Sequence, residues 1–196
     1  MERPYSKLQI LISPGACILF ALLILMLPIQ WLFAASMAAL FHELCHYFAV
    51  WICNGRLQTI HIGRRGAQMQ AEISSSAKEL LCTLAGSVGG LLLLPLVRYI
   101  PRIAICAAIH SVFNSLPLPQ LDGGRALSIL LRMMHPEKAE QIYKRLLMIF
   151  LGMLWLAAGW MSILCRFGVM PLIFVFSLSA TAKKTLQTMT EKGTIV

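Results

Sequence analysis

Phe41-His42-Glu43-Leu44-Cys45-His46-Tyr47-Phe48-Ala49-Val50-Trp51-Ile52-Cys53 closes an apolar run that begins at Trp31. A run of that length, wound as a helix, crosses about 30 Å of hydrocarbon. Within it Glu43 is the sole charged side chain, and it stands between two histidines. Three such groups in one turn of a membrane helix are costly, and all need partners away from lipid. The i, i+4 spacing of His42 and His46 puts both imidazoles on one face, where they can hold Zn²⁺. Glu43 is then placed to act as general base on water at the metal.

The rest of the chain agrees with a membrane setting. Of its 196 residues 58% are hydrophobic and 13% charged, far from ordinary globular usage, which excludes a soluble enzyme, a disulfide-rich module and a disordered tail. Spans are expected at Leu8 to Ile29, Trp31 to Cys53, Glu79 to Val97, Ile103 to Leu121, Leu146 to Cys165 and Phe167 to Ala182. The expected fold is therefore an all-α polytopic membrane protein of six transmembrane helices. Residues 1–182 form the membrane domain, with its core at about 31–125, and 183–196 a short cytoplasmic tail. With that alternation 14 of the 17 Lys and Arg fall on one side, leaving Arg98, Arg102 and Arg166 on the other, so both termini are expected in the cytoplasm. The net charge of +9 thus reports topology, and no nucleic-acid partner is implied. The apolar run after Arg3 and Lys7 is too long for a signal-peptide core and lacks an A-x-A site, which predicts a retained first helix.

Between the second and third spans, Ile60-His61-Ile62 and Ala67 to Ile73 alternate with period two around Gly63-Arg64-Arg65-Gly66, a pattern that predicts a small β-hairpin beside the membrane. Its edge at Gln68, Met69 and Gln70 suits strand addition by an unwound, membrane-anchored protein substrate. Alternatively, Arg64 and Arg65 serve as an anchor to anionic lipid and the hairpin only packs against the bilayer. After the fourth span, a helix is expected to begin past Gly123-Gly124 and to break at His135-Pro136. A second helix then carries Glu137, Lys138, Glu140, Lys144 and Arg145.

Catalytic zinc takes three protein ligands and keeps a position open, so a further ligand is required. His61 lies in the hairpin, His110 high in the fourth span and His135 in a loop, whereas Asp122 reaches the cytoplasmic end of the fourth span. Depth selects Asp122. Pro117 and Pro119 forbid a regular helix up to it, so the chain can bend back and lift the carboxylate toward the histidines.

The stretch Asn114-Ser115-Leu116-Pro117-Leu118-Pro119-Gln120-Leu121-Asp122-Gly123-Gly124, together with the H-E-x-x-H, resembles the site-2 protease family of intramembrane zinc metalloproteases. The resemblance covers about Phe41 to Arg125 and includes Ala85-Gly86. It implies one Zn²⁺ per chain held by His42, His46 and Asp122, with Glu43 as general base and Asn114 touching the substrate or the developing oxyanion. Asn114 has a competing role as an amide that ties the broken fourth helix to a free carbonyl. Where many members carry Gly-Pro-x-x-Asn, this chain has Gly86-Ser87-Val88-Gly89-Gly90, small residues that permit close helix approach. With no room for a PDZ domain or a C-terminal CBS pair, the chain looks like a minimal sporulation-type member. That branch lives in the bacterial cytoplasmic membrane and processes a membrane-associated sigma-factor precursor; an oligomer is allowed.

The expected activity is hydrolysis of a peptide bond in or near a membrane segment of a tethered regulatory protein. Two other classes use the same ligands: a membrane zinc carrier, and a non-proteolytic scaffold of the same fold. A carrier calls for charged residues along a path across the membrane, and none is visible in the outer half. A scaffold has no use for Glu43.

Overall fold

The computed structural model describes residues 9–12, 28–63, 66–164 and 168–191. Most of the expected first span, Arg64-Arg65 at the turn, the connection at Arg166 and the end of the chain from Lys192 lie outside the described residues. The chain divides into two compact units, Met1–Asn114 and Ser115–Val196.

The first unit joins a small sheet to three helices. Strand β1 (Gln9–Ile12) pairs parallel with β2 (Arg56–Gly63), and β2 pairs antiparallel with β3 (Gly66–Glu72), so β3 is an edge among the described residues. The antiparallel register runs from Arg56 opposite Glu72 to Gly63 opposite Gly66, with one irregularity between Leu57 and Thr59. β1 corrects the expected helix from Leu8. Its apolar residues pair with the backbone of β2, and Ser13-Pro14-Gly15 directly after them is unfavourable to a helix.

Helix α1 (Ile29–Ile52) starts after Pro28 and stops where Asn54 takes a left-handed backbone, φ 55°. Gly55 N–H then closes the end by donating to Val50 O at 2.8 Å. Helix α2 (Ser76–Leu91) gives way to a 3-10 turn, Leu94–Arg98, because Pro95 has no N–H to continue the α ladder. The expected third span is thus two joined pieces. Helix α3 (Pro101–Asn114) is shorter than the expected Ile103 to Leu121 and ends before the prolines. At 14 residues it measures about 21 Å, less than a hydrocarbon core.

These three helices pack on one another through small residues: Ala34 and Ala38 of α1, Gly86, Gly89 and Gly90 of α2, and Ala104, Ala107 and Ser111 of α3 are all buried. A Cβ at Gly90 would overlap Ser111 Oγ and stand 3.1 Å from Ala107 O, so only glycine permits this approach of α2 to α3.

The second unit opens with the irregular segment 115–121 and continues in α4 (Asp122–Met134), α5 (Ala139–Ile163) and α6 (Met170–Glu191). Its core gathers Leu118, Leu131, Ala139, Tyr143, Leu147 and Ala182. Helix α4 begins at Asp122, three residues before the expected start, and takes both glycines into its first turn. The chain does break at His135-Pro136. Beyond it α5 is one continuous helix that unites the expected basic helix with the expected fifth span. Trp155 Nε1 donates to Ser179 Oγ at 3.2 Å, linking α5 to α6.

Among the described residues three segments are long and apolar enough to cross a membrane: Ile29–Ile52, Ser76–Arg98 and Ala139–Ile163. Their outer faces carry large apolar side chains such as Trp51, Leu156 and Ile163, exposed by 68, 77 and 77%. Bare faces of that kind suit lipid, and the chain reads as a membrane protein.

Candidate metal centre

Helix α1 carries His42, Glu43 and His46 in one turn; His42 is 3% exposed, while Glu43 and His46 are half-buried. The i, i+4 spacing brings His42 Nε2 to 3.1 Å from His46 Nε2. His46 Nδ1 lies 2.7 Å from the backbone oxygen of Cys82 on α2. A carbonyl only accepts, so Nδ1 of His46 carries the proton and donates. In the neutral ring the lone pair then sits on Nε2 and faces His42. Zinc at its usual bond lengths to nitrogen holds two tetrahedral ligands about 3.3 Å apart, close to the separation seen here. The donor set therefore fits zinc, with the outer ring nitrogen of His46 tied to a carbonyl in the manner usual for a metal-ligating histidine.

Two neighbours in the same unit shape the pair. A Cβ at Gly86 of α2 would overlap His46 Nε2 and lie 2.7 Å from His42 Cε1 and 2.8 Å from His42 Nε2. The missing side chain is the space in which the two imidazoles meet. Gly86→Ala is expected to drive the rings apart, because a helix backbone cannot retreat by the half-ångström or more required without disturbing Gly89 and Gly90 beside it. Zinc measured on the purified variant by atomic absorption should drop well below one ion per chain; full occupancy would show that the rings have room to spare. The His110 ring of α3 also lies against His42 in a T-shaped contact, with centroids 4.7 Å apart and planes at 83°.

Asp122 begins α4 in the second unit, half-buried, where the positive end of the helix dipole favours a carboxylate. The local cause is the segment before it. Leu118 is fully buried, its N–H donates to Leu116 O at 2.8 Å, and Leu121 N–H donates to Leu118 O at 2.9 Å, a tight path that Pro117 and Pro119 enforce. Side chains at Gly123 and Gly124 would strike the carbonyls of Ser115 and Leu118, so both positions must be bare. Asp122 is thus the candidate ligand of the second unit, as His42 and His46 are of the first.

Asn114 is the last residue of α3, half-buried and one turn beyond His110. Gln68, Met69 and Gln70 lie on β3, opposite His61, Ile60 and Thr59 of β2. His135 caps the end of α4 and is exposed. Three contributors were not expected from the sequence: Gly86 as the space for the rings, the Cys82 carbonyl, and His110 against His42. Their only local trace is the spacing of His110 and Asn114, which shares a helix face.

No protein-family model matches the sequence, and no curated protein matches it. Among solved structures the chain is similar to the site-2 protease from Methanocaldococcus jannaschii, with a TM-score of 0.59 and 16% identity over 95% of this chain and 94% of that one. At that identity the likeness shows the fold, and the fold is that of a site-2 protease.

Proposed function

We propose that the chain is an intramembrane zinc metalloprotease of the site-2 protease family, close to its sporulation-type branch. The observation that carries this reading is the facing pair of His42 and His46 Nε2 atoms on a membrane helix, with Glu43 in the same turn and Cys82 O fixing the tautomer. The likeness in fold to a site-2 protease supports it.

His42, His46 and Asp122 would hold one zinc ion per chain. When bound, zinc supplies a Lewis acid that polarises the scissile carbonyl and makes water at the site acidic enough to attack near neutral pH. Glu43 takes the proton from the attacking water and returns it to the leaving amine, so that the peptide nitrogen departs neutral. The Asn114 amide donates to the carbonyl oxygen as it gains charge.

A transmembrane substrate conceals its scissile bond in its own hydrogen-bond ladder and must unwind first. Among the described residues β3 is an edge strand, and an extended segment pairing along Gln68, Met69 and Gln70 would regain the bonds it lost. The substrate is then a membrane-anchored regulatory protein, with a sigma-factor precursor in the bacterial cytoplasmic membrane as the leading case. Co-expression with a panel of tagged single-span proteins, including such a precursor, tests the reading. A metal-dependent cut within or beside the span is expected, abolished by a zinc chelator. Zinc bound with no member of the panel cut would favour the carrier or the scaffold.

A further inference from the structure

His46 and His42 are held by different means. The His46 ring is fixed by its hydrogen bond to Cys82 O. The His42 ring, buried to 3% exposure, has two other imidazoles against it: His46 at a centroid distance of 4.7 Å and 84°, and His110 at 4.7 Å and 83°. Gly86 lies against it as well. Both ring contacts lie at the short end of the edge-to-face range, where an aromatic ring's positive edge meets its neighbour's negative face. Two perpendicular neighbours at that distance restrict rotation of the ring about its outer torsion.

We infer that His110 is a positioning residue for His42: it sets the plane of the His42 imidazole and so aims Nε2 at the point where His46 Nε2 also aims. The inference rests on the metalloprotease reading for its purpose, but its geometry belongs to the first unit alone. His110 meets His42 ring against ring within that unit. Support of this kind typically changes metal affinity by about 10–100-fold when it is lost. His110 also sits one turn before Asn114, so the supporting ring and the proposed substrate amide share one short helix.

The full chain in detergent, washed with chelator, is compared as wild type, His110→Ala and His110→Phe. Phe keeps a ring edge and removes both nitrogens. Histidine-selective ¹⁵N spectra of the metal-free proteins should show one sharp set of His42 ring signals in wild type and His110→Phe, and broadened or doubled signals in His110→Ala. Cobalt titration should place His110→Ala about 10–100-fold weaker than wild type, with a changed visible absorption band, and His110→Phe within about threefold. Unaltered His42 signals and cobalt affinity in His110→Ala would overturn the inference. So would equal losses in both variants, which would mean that a nitrogen of His110 is what matters. Circular dichroism melts separate either loss from unfolding. A wild type that binds no cobalt would count against the metalloprotease reading alone, since the metal-free spectra still decide the ring's role.

Discussion

Glu43→Gln should abolish detectable proteolysis while leaving zinc bound. The amide keeps the size of the carboxylate and its place one residue from His42, so the packing of α1 is unchanged. It cannot accept a proton from water at neutral pH. General-base assistance is typically worth about 10²–10⁴ in rate, and Glu43 is charged with two transfers, from the water and to the leaving amine. A loss of at least about 10³-fold is the expected result. The check is cleavage of a tagged single-span substrate in membranes, with zinc measured on the same purified variant. Zinc near one per chain with no product assigns Glu43 to proton transfer. Zinc lost together with activity would assign it to the integrity of the site, and retained cleavage would remove it from the chemistry.

What the sequence shows and what it hides follow from the range of the interactions involved. The H-E-x-x-H turn is readable because i, i+4 spacing on a helix is a local rule, and α1 places both imidazoles on one face as that rule demands. The end of α3 before Pro117 follows from the prolines, although its early stop at Asn114 shortens the helix below a membrane crossing. The strand at Gln9–Ile12 was hidden, since four apolar residues have no period to distinguish strand from helix, and their partner is fifty residues away on β2. The Cys82 contact could not have been read at all: its acceptor is a backbone oxygen, and any residue type at that position would offer the same atom. Gly86 was visible as a small residue, but that its absent Cβ makes room for two histidine rings depends on how α2 packs against α1. Depth sets His110 aside, because it weighs height in the membrane and ignores a ring packed against a candidate ligand.

His46→Ala should cost the metal itself, and with it all activity. Three events coincide in that one change. A lone pair at 3.1 Å from His42 Nε2 disappears, the donor to Cys82 O at 2.7 Å is lost, and one of the two rings that hold His42 edge-on is gone. A supporting contact alone is typically worth about 10–100-fold in metal affinity, so removing a ligand together with such a contact should exceed about 100-fold. Asp122→Asn should weaken zinc in the same assay by removing the negative charge that balances the ion. Cys82→Ala supplies the contrast, because the hydrogen bond to His46 comes from the backbone and survives loss of the thiol. Competition against a chromophoric chelator should place Cys82→Ala within about threefold of wild type and His46→Ala beyond the reach of the assay. If Cys82→Ala instead lost zinc as His46→Ala does, the thiol and not the carbonyl would be the partner that matters.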